Sequence, residues 1–313
     1  MLNSVGRNRP ISTRLVEDPV EAVGLHHIAS LGPMRAFWFH FWYHCRVSTS
    51  EVYPNAPLAL VAVEVRFPDS ASAPLGAAVH RAVRDRLGRD WVIEGGKQQT
   101  MEVAFGPSGM SAPNIRQENL SRITVRDRTQ VVTLRPDSLT IEATRYGGYD
   151  VFRELLHRAF AAVEELLEPD GISRLGLRYI DEISVPAGDE PTNWADWVHG
   201  SLLPPSTESL APATWTGAVQ YDIGPQRRLV LRYGPADQPV VAPSGPLRRL
   251  RAPTGPIFML DFDSFWQPEE IPAFSADGLV QSCDDLRAPV RTLFTELVND
   301  RLVDEVFRME PPK

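Results

Sequence analysis

Residues 60–67 read Leu-Val-Ala-Val-Glu-Val-Arg-Phe. Val61, Val63, Val65 and Phe67 fall on one side, and Ala62, Glu64 and Arg66 on the other. This is the period of a strand with one face buried and one face wet. Such a strand needs helices over its apolar side, and two helical patterns follow. Pro74 opens the first, with Leu75, Ala78, Val79, Ala82, Val83 and Leu87 on one stripe and Gly88 placed to stop it. Asp150 is placed to cap the second. Its stripe runs through Val151, Phe152, Leu155, Leu156, Ala159, Phe160, Val163, Leu166 and Leu167, and Pro169-Asp170-Gly171 ends it.

Between the helices, Met101, Val103 and Phe105 suggest a short strand. Residues 123–126 and 130–134 read as a hairpin, and 139–144 alternate again. After the second helix, residues 174–185 (RLGLRYIDEISV) form another strand. The order strand, helix, several strands, helix, strand predicts an α+β fold. Its plan is a ferredoxin-like split βαβ unit with extra antiparallel strands over residues 51–186. Residues 187–313 predict a second α+β lobe. A loop with a short helix near Trp194 leads into strands at 215–223, 228–233 and 257–262. Long C-terminal helices then cover this antiparallel sheet, with Pro289 marking a break.

Residues 1–50 read differently. Arg7, Arg9 and Arg14 sit among Asn, Ser and Pro, and the aromatic segment 36–43 (AFWFHFWY) shows no clean period. These residues are expected to be either an N-terminal arm, partly flexible, or the product of a start assigned too early, with Met34 or a later codon as the true one. No apolar run reaches the roughly 18 residues of a membrane span. Cys45 and Cys283 lack metal-type or CxxC spacing. A cytoplasmic location is the expectation. The net charge is −8, with 28 prolines and only two lysines, Lys97 and Lys313. An acidic chain disfavours non-specific nucleic-acid or anionic-membrane binding.

Several phrases combine into a recognisable pattern. They are Tyr53-Pro54-Asn55-Ala56-Pro57-Leu58, Glu64-Val65-Arg66-Phe67-Pro68, Leu139-Thr140-Ile141-Glu142-Ala143-Thr144 with Tyr146, and Arg174-Leu175-Gly176-Leu177-Arg178-Tyr179-Ile180-Asp181. Together they resemble a sporadically distributed prokaryotic family with no assigned activity, over residue 53 to the C-terminus. The resemblance implies domain limits and no catalytic residues.

Neither GxGxxG, GxxxxGK[ST], HExxH nor GxSxG occurs. The first positive constellation follows from the ferredoxin-like order, which sets the first strand between two later ones. Glu64 and Arg66 then lie between Glu142 and Arg178 on the side away from the core. Asp181 joins them as a candidate ligand-binding residue. This charged floor either is a ladder of cross-strand ion pairs or holds a polar ligand, with arginine forks suited to carboxylate or phosphate. Asp261 and Asp263 share one strand face, a spacing compatible with Mg²⁺ or acid–base work. His26, His27, His40 and His44 lie near Cys45, but no metal site is assigned, and no cofactor is implied. Arg227, Arg228, Arg232, Arg248, Arg249 and Arg251 form a candidate basic patch.

These features point to a non-catalytic recognition module for a protein partner or small polar ligand, an expectation compatible with an accessory role beside mobile or defence-linked genes. The alternative is a hydrolase or transferase using Glu64, Glu142, Asp181 or Asp261. Nucleic-acid binding through the 247–251 loop is third.

Overall fold

The computed structural model describes residues 53–68, 76–102, 105–106, 109–110, 114–186, 192–205, 207, 209–210, 212–241 and 247–310. The N-terminal arm, its histidines and Cys45 lie outside these residues, as do Pro74, Leu75 and Val103. The strands are β1 (Leu58–Arg66), β2 (Trp91–Glu102), β3 (Phe105–Gly106), β4 (Gly109–Met110), β5 (Asn114–Val125), β6 (Gln130–Leu134), β7 (Ser138–Ala143), β8 (Arg174–Ile183), β9 (Gly217–Gly224), β10 (Arg227–Ala236) and β11 (Ile257–Trp266). The helices are α1 (Ala77–Leu87), α2 (Tyr149–Leu167), α3 (Ala276–Leu297) and the single turn α4 (Asp300–Leu302).

Nine strands form one antiparallel sheet in the order β2-β5-β6-β7-β1-β8-β11-β10-β9, and β3 pairs with β4 apart from it. The alternation of β1 holds: Val61, Val63 and Val65 are fully buried. On the same face lie Leu139 and Ile141 from β7, Leu175 and Leu177 from β8, and Leu260 and Phe262 from β11, all fully buried. The helices α1, α2 and α3 cover this face and share its core. Tyr149 and Arg153 of α2 both bond Asp284 of α3, the tyrosine hydroxyl donating at 2.7 Å. These bonds set the two helices side by side.

The sequence pattern separates 51–186 from 187–313 as two lobes, but the chain from Ser48 to Lys313 is one compact unit. The reason lies in β8. It pairs with β1 on one edge, and residues 175–183 pair with β11 on the other. The second half therefore extends the first half's sheet instead of closing its own. The Tyr53–Leu58 phrase has a structural task here. The Asn55 N–H donates to the Phe307 carbonyl at 3.0 Å, and its amide donates to that of Val306 at 3.1 Å. The ring of Tyr53 packs 5.5 Å from that of Phe307.

Three local expectations change. α2 starts at Tyr149 after Gly148, whose φ of +100° suits glycine, so Asp150 lies in the first turn rather than at the cap. A carboxylate there still complements the helix N-terminus. α3 runs through Pro289 without a break. It buries Leu286 and Val290 on either side of the proline, and that packing outweighs the lost backbone bond. The strand expected at Met101–Phe105 is the end of β2 and the start of β3.

A single sheet predicts a single transition. Phe262 is fully buried and its ring centroid lies 6.4 Å from that of Phe294. Phe262→Ala is expected to cost about 3–5 kcal/mol. Tryptophan fluorescence and far-UV circular dichroism should give coincident urea curves in both proteins. Two separated transitions would contradict the one-sheet description.

Candidate functional site

Because one sheet face is packed against helices, alternation sends every other side chain of nine strands to the opposite face. Three rows of register organise its centre. Glu142, Ala62, Arg178 and Asp263 lie in one row across β7, β1, β8 and β11. The next row holds Thr133, Thr140, Glu64, Gly176 and Phe265. In the third, Arg66 stands opposite Arg174. Glu64, Arg66, Glu142 and Arg178 thus share one surface. They line a shallow concavity of about 410 Å³, with Ala62, Gly176 and the two threonines also lining it.

Most of the charge is spent on pairs within this face. Arg178 donates through Nε and Nη2 to the two carboxylate oxygens of Asp261, at 2.7 and 2.9 Å. That fork-to-carboxylate geometry holds the guanidinium firmly in its charged form and raises its pKa. Arg232 approaches the same carboxylate at 3.5 Å from β10. Arg66 bonds Glu64 at 2.9 Å. Arg174 lies between Glu64, at 3.3 Å, and Asp263, at 3.7 Å, with its guanidinium 5.0 Å from the Phe265 ring. Gly176 makes room for it, since a Cβ there would sit 2.8 Å from the Arg174 Nη1.

Glu142 differs. Among the described residues no hydrogen bond reaches its carboxylate, and none involves the Thr133 or Thr140 hydroxyl. Burial pushes its pKa up, while the charges of Arg135 and Arg122 oppose the shift. The concavity therefore offers one desolvated acceptor beside two hydroxyls, rimmed by arginines whose partners are already chosen.

Asp181 does not belong to this surface. On β8 it alternates with Arg178 and Glu182, so it points to the helix side, opposite Leu58 and Leu260. Only 6 % of it is exposed, and burial pushes its pKa up to about 7. Alternation alone places it there.

The six arginines of the candidate basic patch do not form one surface. Arg249 is buried against Glu182, whose carboxylate also accepts the N–H groups of Val240 and Val241 at 2.8 and 2.7 Å. This pins the loop after β10 across the open face. Arg227 turns to the helix side and pairs with Asp285 at 3.3 Å, whereas Arg228 and Arg232 face the other way. Arg228, Arg248 and Arg251 are exposed. Asp261 and Asp263 do share a face, but arginines occupy it with them, and among the described residues no group of three or more metal-ligating side chains is found. Sequence reading missed Glu182, although a carboxylate inside an apolar strand was a signal of a buried partner. It also missed Arg174, which the same alternation as Arg178 marks. Among the described residues, no helix is long and apolar enough to cross a membrane.

No protein-family model matches this chain. No curated protein matches it either.

Two outcomes follow from the buried charges. Removing one partner of a buried pair strands the other, so Arg249→Ala is expected to cost about 3–5 kcal/mol in urea unfolding. A change under about 1 kcal/mol would show the pair to be solvated. Asp181 stays protonated in the folded chain up to about pH 7, whereas unfolded it ionises near 3.8. Unfolding therefore releases a proton between those values, and stability falls as pH rises from about 4 to 7, by on the order of 4 kcal/mol. Asp181→Asn should remove that slope and be the more stable protein at pH 8. Equal slopes in urea melts at pH 4, 6 and 8 would contradict this.

Proposed function

We propose that the open sheet face is a non-catalytic binding site for a small polar ligand that presents a hydrogen-bond donor, such as an ammonium or amide group, to Glu142. One observation carries this reading: Glu142 is the desolvated carboxylate of the concavity that lacks a hydrogen bond among the described residues. Partial burial strips some of the water from this half-buried carboxylate, and a ligand's donor would replace it. The volume is in the range of small-molecule sites. Arg178 and Arg66 at the rim are paired with carboxylates but keep about half of each side chain exposed, which leaves guanidinium surface for an anionic group at the ligand's other end.

Several features weigh against the alternatives. The carboxylates that an acid–base enzyme would converge are split, with Asp181 on the far side of the sheet, Glu64 and Asp261 held by arginines, and Glu142 alone. A nucleic-acid reading loses its compact patch, since three of its six arginines are engaged by carboxylates. The resemblance to a prokaryotic family without assigned activity fits an accessory recognition role. We also read the run β8-β1-β7-β6 with α1 and α2 as the split βαβ plan, with β2 and β5 inserted at its edge.

The test is thermal melting of the full chain against a panel of amino acids, polyamines, short peptides and matched carboxylates that lack an amine. A ligand at a hundredfold excess over its Kd is expected to raise Tm by roughly 5 °C. Glu142→Ala should abolish that rise without lowering the ligand-free Tm, and Arg178→Ala should weaken it. A rise that survives Glu142→Ala, or one produced as well by the amine-free carboxylates, would refute the site. So would the absence of any rise across the panel.

A further inference from the structure

The sheet ends at β9, and among the described residues nothing pairs with the outer edge of that strand. Its eight residues, GAVQYDIG, are exposed or half-buried throughout. Edge strands are commonly guarded by lysine, proline, a bulge or an inward charge. β9 holds no lysine and no proline, and its ladder with β10 is regular from Gly217 to Asp222, shifting only beside the hairpin turn. Its single charged residue is Asp222. Val219 and Tyr221 point to the helix side, where Val219 is 38 % exposed. Ala218, Gln220 and Asp222 point to the open face.

We propose that two copies of this chain pair through β9, antiparallel, about a two-fold axis normal to the sheet at Gln220. Such an axis keeps the helices of both copies on one side and joins the two sheets into one. It sets Gln220 against itself, Val219 against Tyr221 of the second copy, and Ala218 against Asp222 of the second copy. The register is selected by charge. Ala218 is the neighbour of Arg232 on β10. The row therefore runs Arg232, Ala218, then Asp222 of the second copy, and the short alanine leaves the arginine a path across to that carboxylate. Arg232 touches Asp261 through Nη1 only at 3.5 Å, and about half of its side chain is exposed. Asp222 already stands beside Arg228 of its own copy, and centring the axis on Val219 or Tyr221 instead would bring it no second arginine row. The symmetric arrangement supplies this ion pair twice, along with two Val219–Tyr221 contacts. It is an isologous interface and closes at two copies. This inference is independent of the ligand reading, because neither Glu142 nor the concavity takes part.

Sedimentation equilibrium of the full chain should show a monomer–dimer equilibrium. Val219→Lys, a solubilising edge charge, should raise the dissociation constant by ~10-fold or more, and Asp222→Arg should do likewise. Gln220→Cys should cross-link into a dimer under mild oxidation, because facing Cβ atoms stand about 5 Å apart. Asp222→Cys should not, since its two copies would be ~13 Å apart along the strands. The unsubstituted chain under the same oxidation controls for the native cysteines. A monomer at all concentrations overturns the proposal. So does a dimer indifferent to Val219→Lys, or one that cross-links through position 222 and not 220. The cysteine pair reads the register even where the lysine variant does not fold.

Discussion

β8 is bonded on one edge to the first strand of the fold and on the other to the last. Its alternation is therefore imposed twice. Leu175, Leu177 and Tyr179 must meet the helices, and Arg174, Gly176 and Arg178 must then face away. A slip of one residue on either side would drive two arginines into the core and three apolar side chains into water. Desolvating unpaired guanidinium groups is far costlier than any cross-strand contact can offset. The register at the centre of the sheet is thus fixed by burial, and the remaining strands add outward from it.

The charged face follows from the same constraint. A broad sheet covered on one side has to place polar residues on the other, and this chain places arginines on adjoining strands. Like charges in neighbouring rows repel, so carboxylates are interleaved: Glu64 with Arg66 and Arg174, and Asp261 with Arg178 and Arg232. Each pair is partly exposed and adds little alone. Their collective effect is to fix where each long side chain lies, which leaves the small residues Ala62, Gly176, Thr133 and Thr140 as the bottom of a hollow. Glu142 stands out because its neighbours Arg135 and Arg122 act on it through charge without a described hydrogen bond.

Legibility in the sequence follows the range of the interactions involved. The alternation of residues 60–67 and the stripe of α2 are local patterns with one apolar side; the first is found as read, and the second holds except at its start, where Val151 is 54 % exposed. Glu64, Arg66, Glu142 and Arg178 came out together because a period of two carries across paired strands. Asp181 was assigned to the wrong side because it follows Tyr179 and Ile180, both buried, and a polar residue at the end of an apolar run invites an outward reading. The single sheet was hidden for a different reason. Which strand takes the second edge of β8 depends on residues some eighty positions later, and nothing local encodes it. Pro289 misled because its usual helix-breaking effect is overcome by packing of α3 on the sheet.

The placement of β8 has a consequence for how the chain is made. While a ribosome is still reading the codons of β9 and β10, the strand that will sit at the centre of the sheet has one edge unpaired, with apolar groups beside it. Pairing there waits for Ile257–Trp266 to leave the exit tunnel, and the clasp of Asn55 on Val306 and Phe307 waits longer still. The nascent polypeptide thus carries a sticky, half-built margin through much of its synthesis.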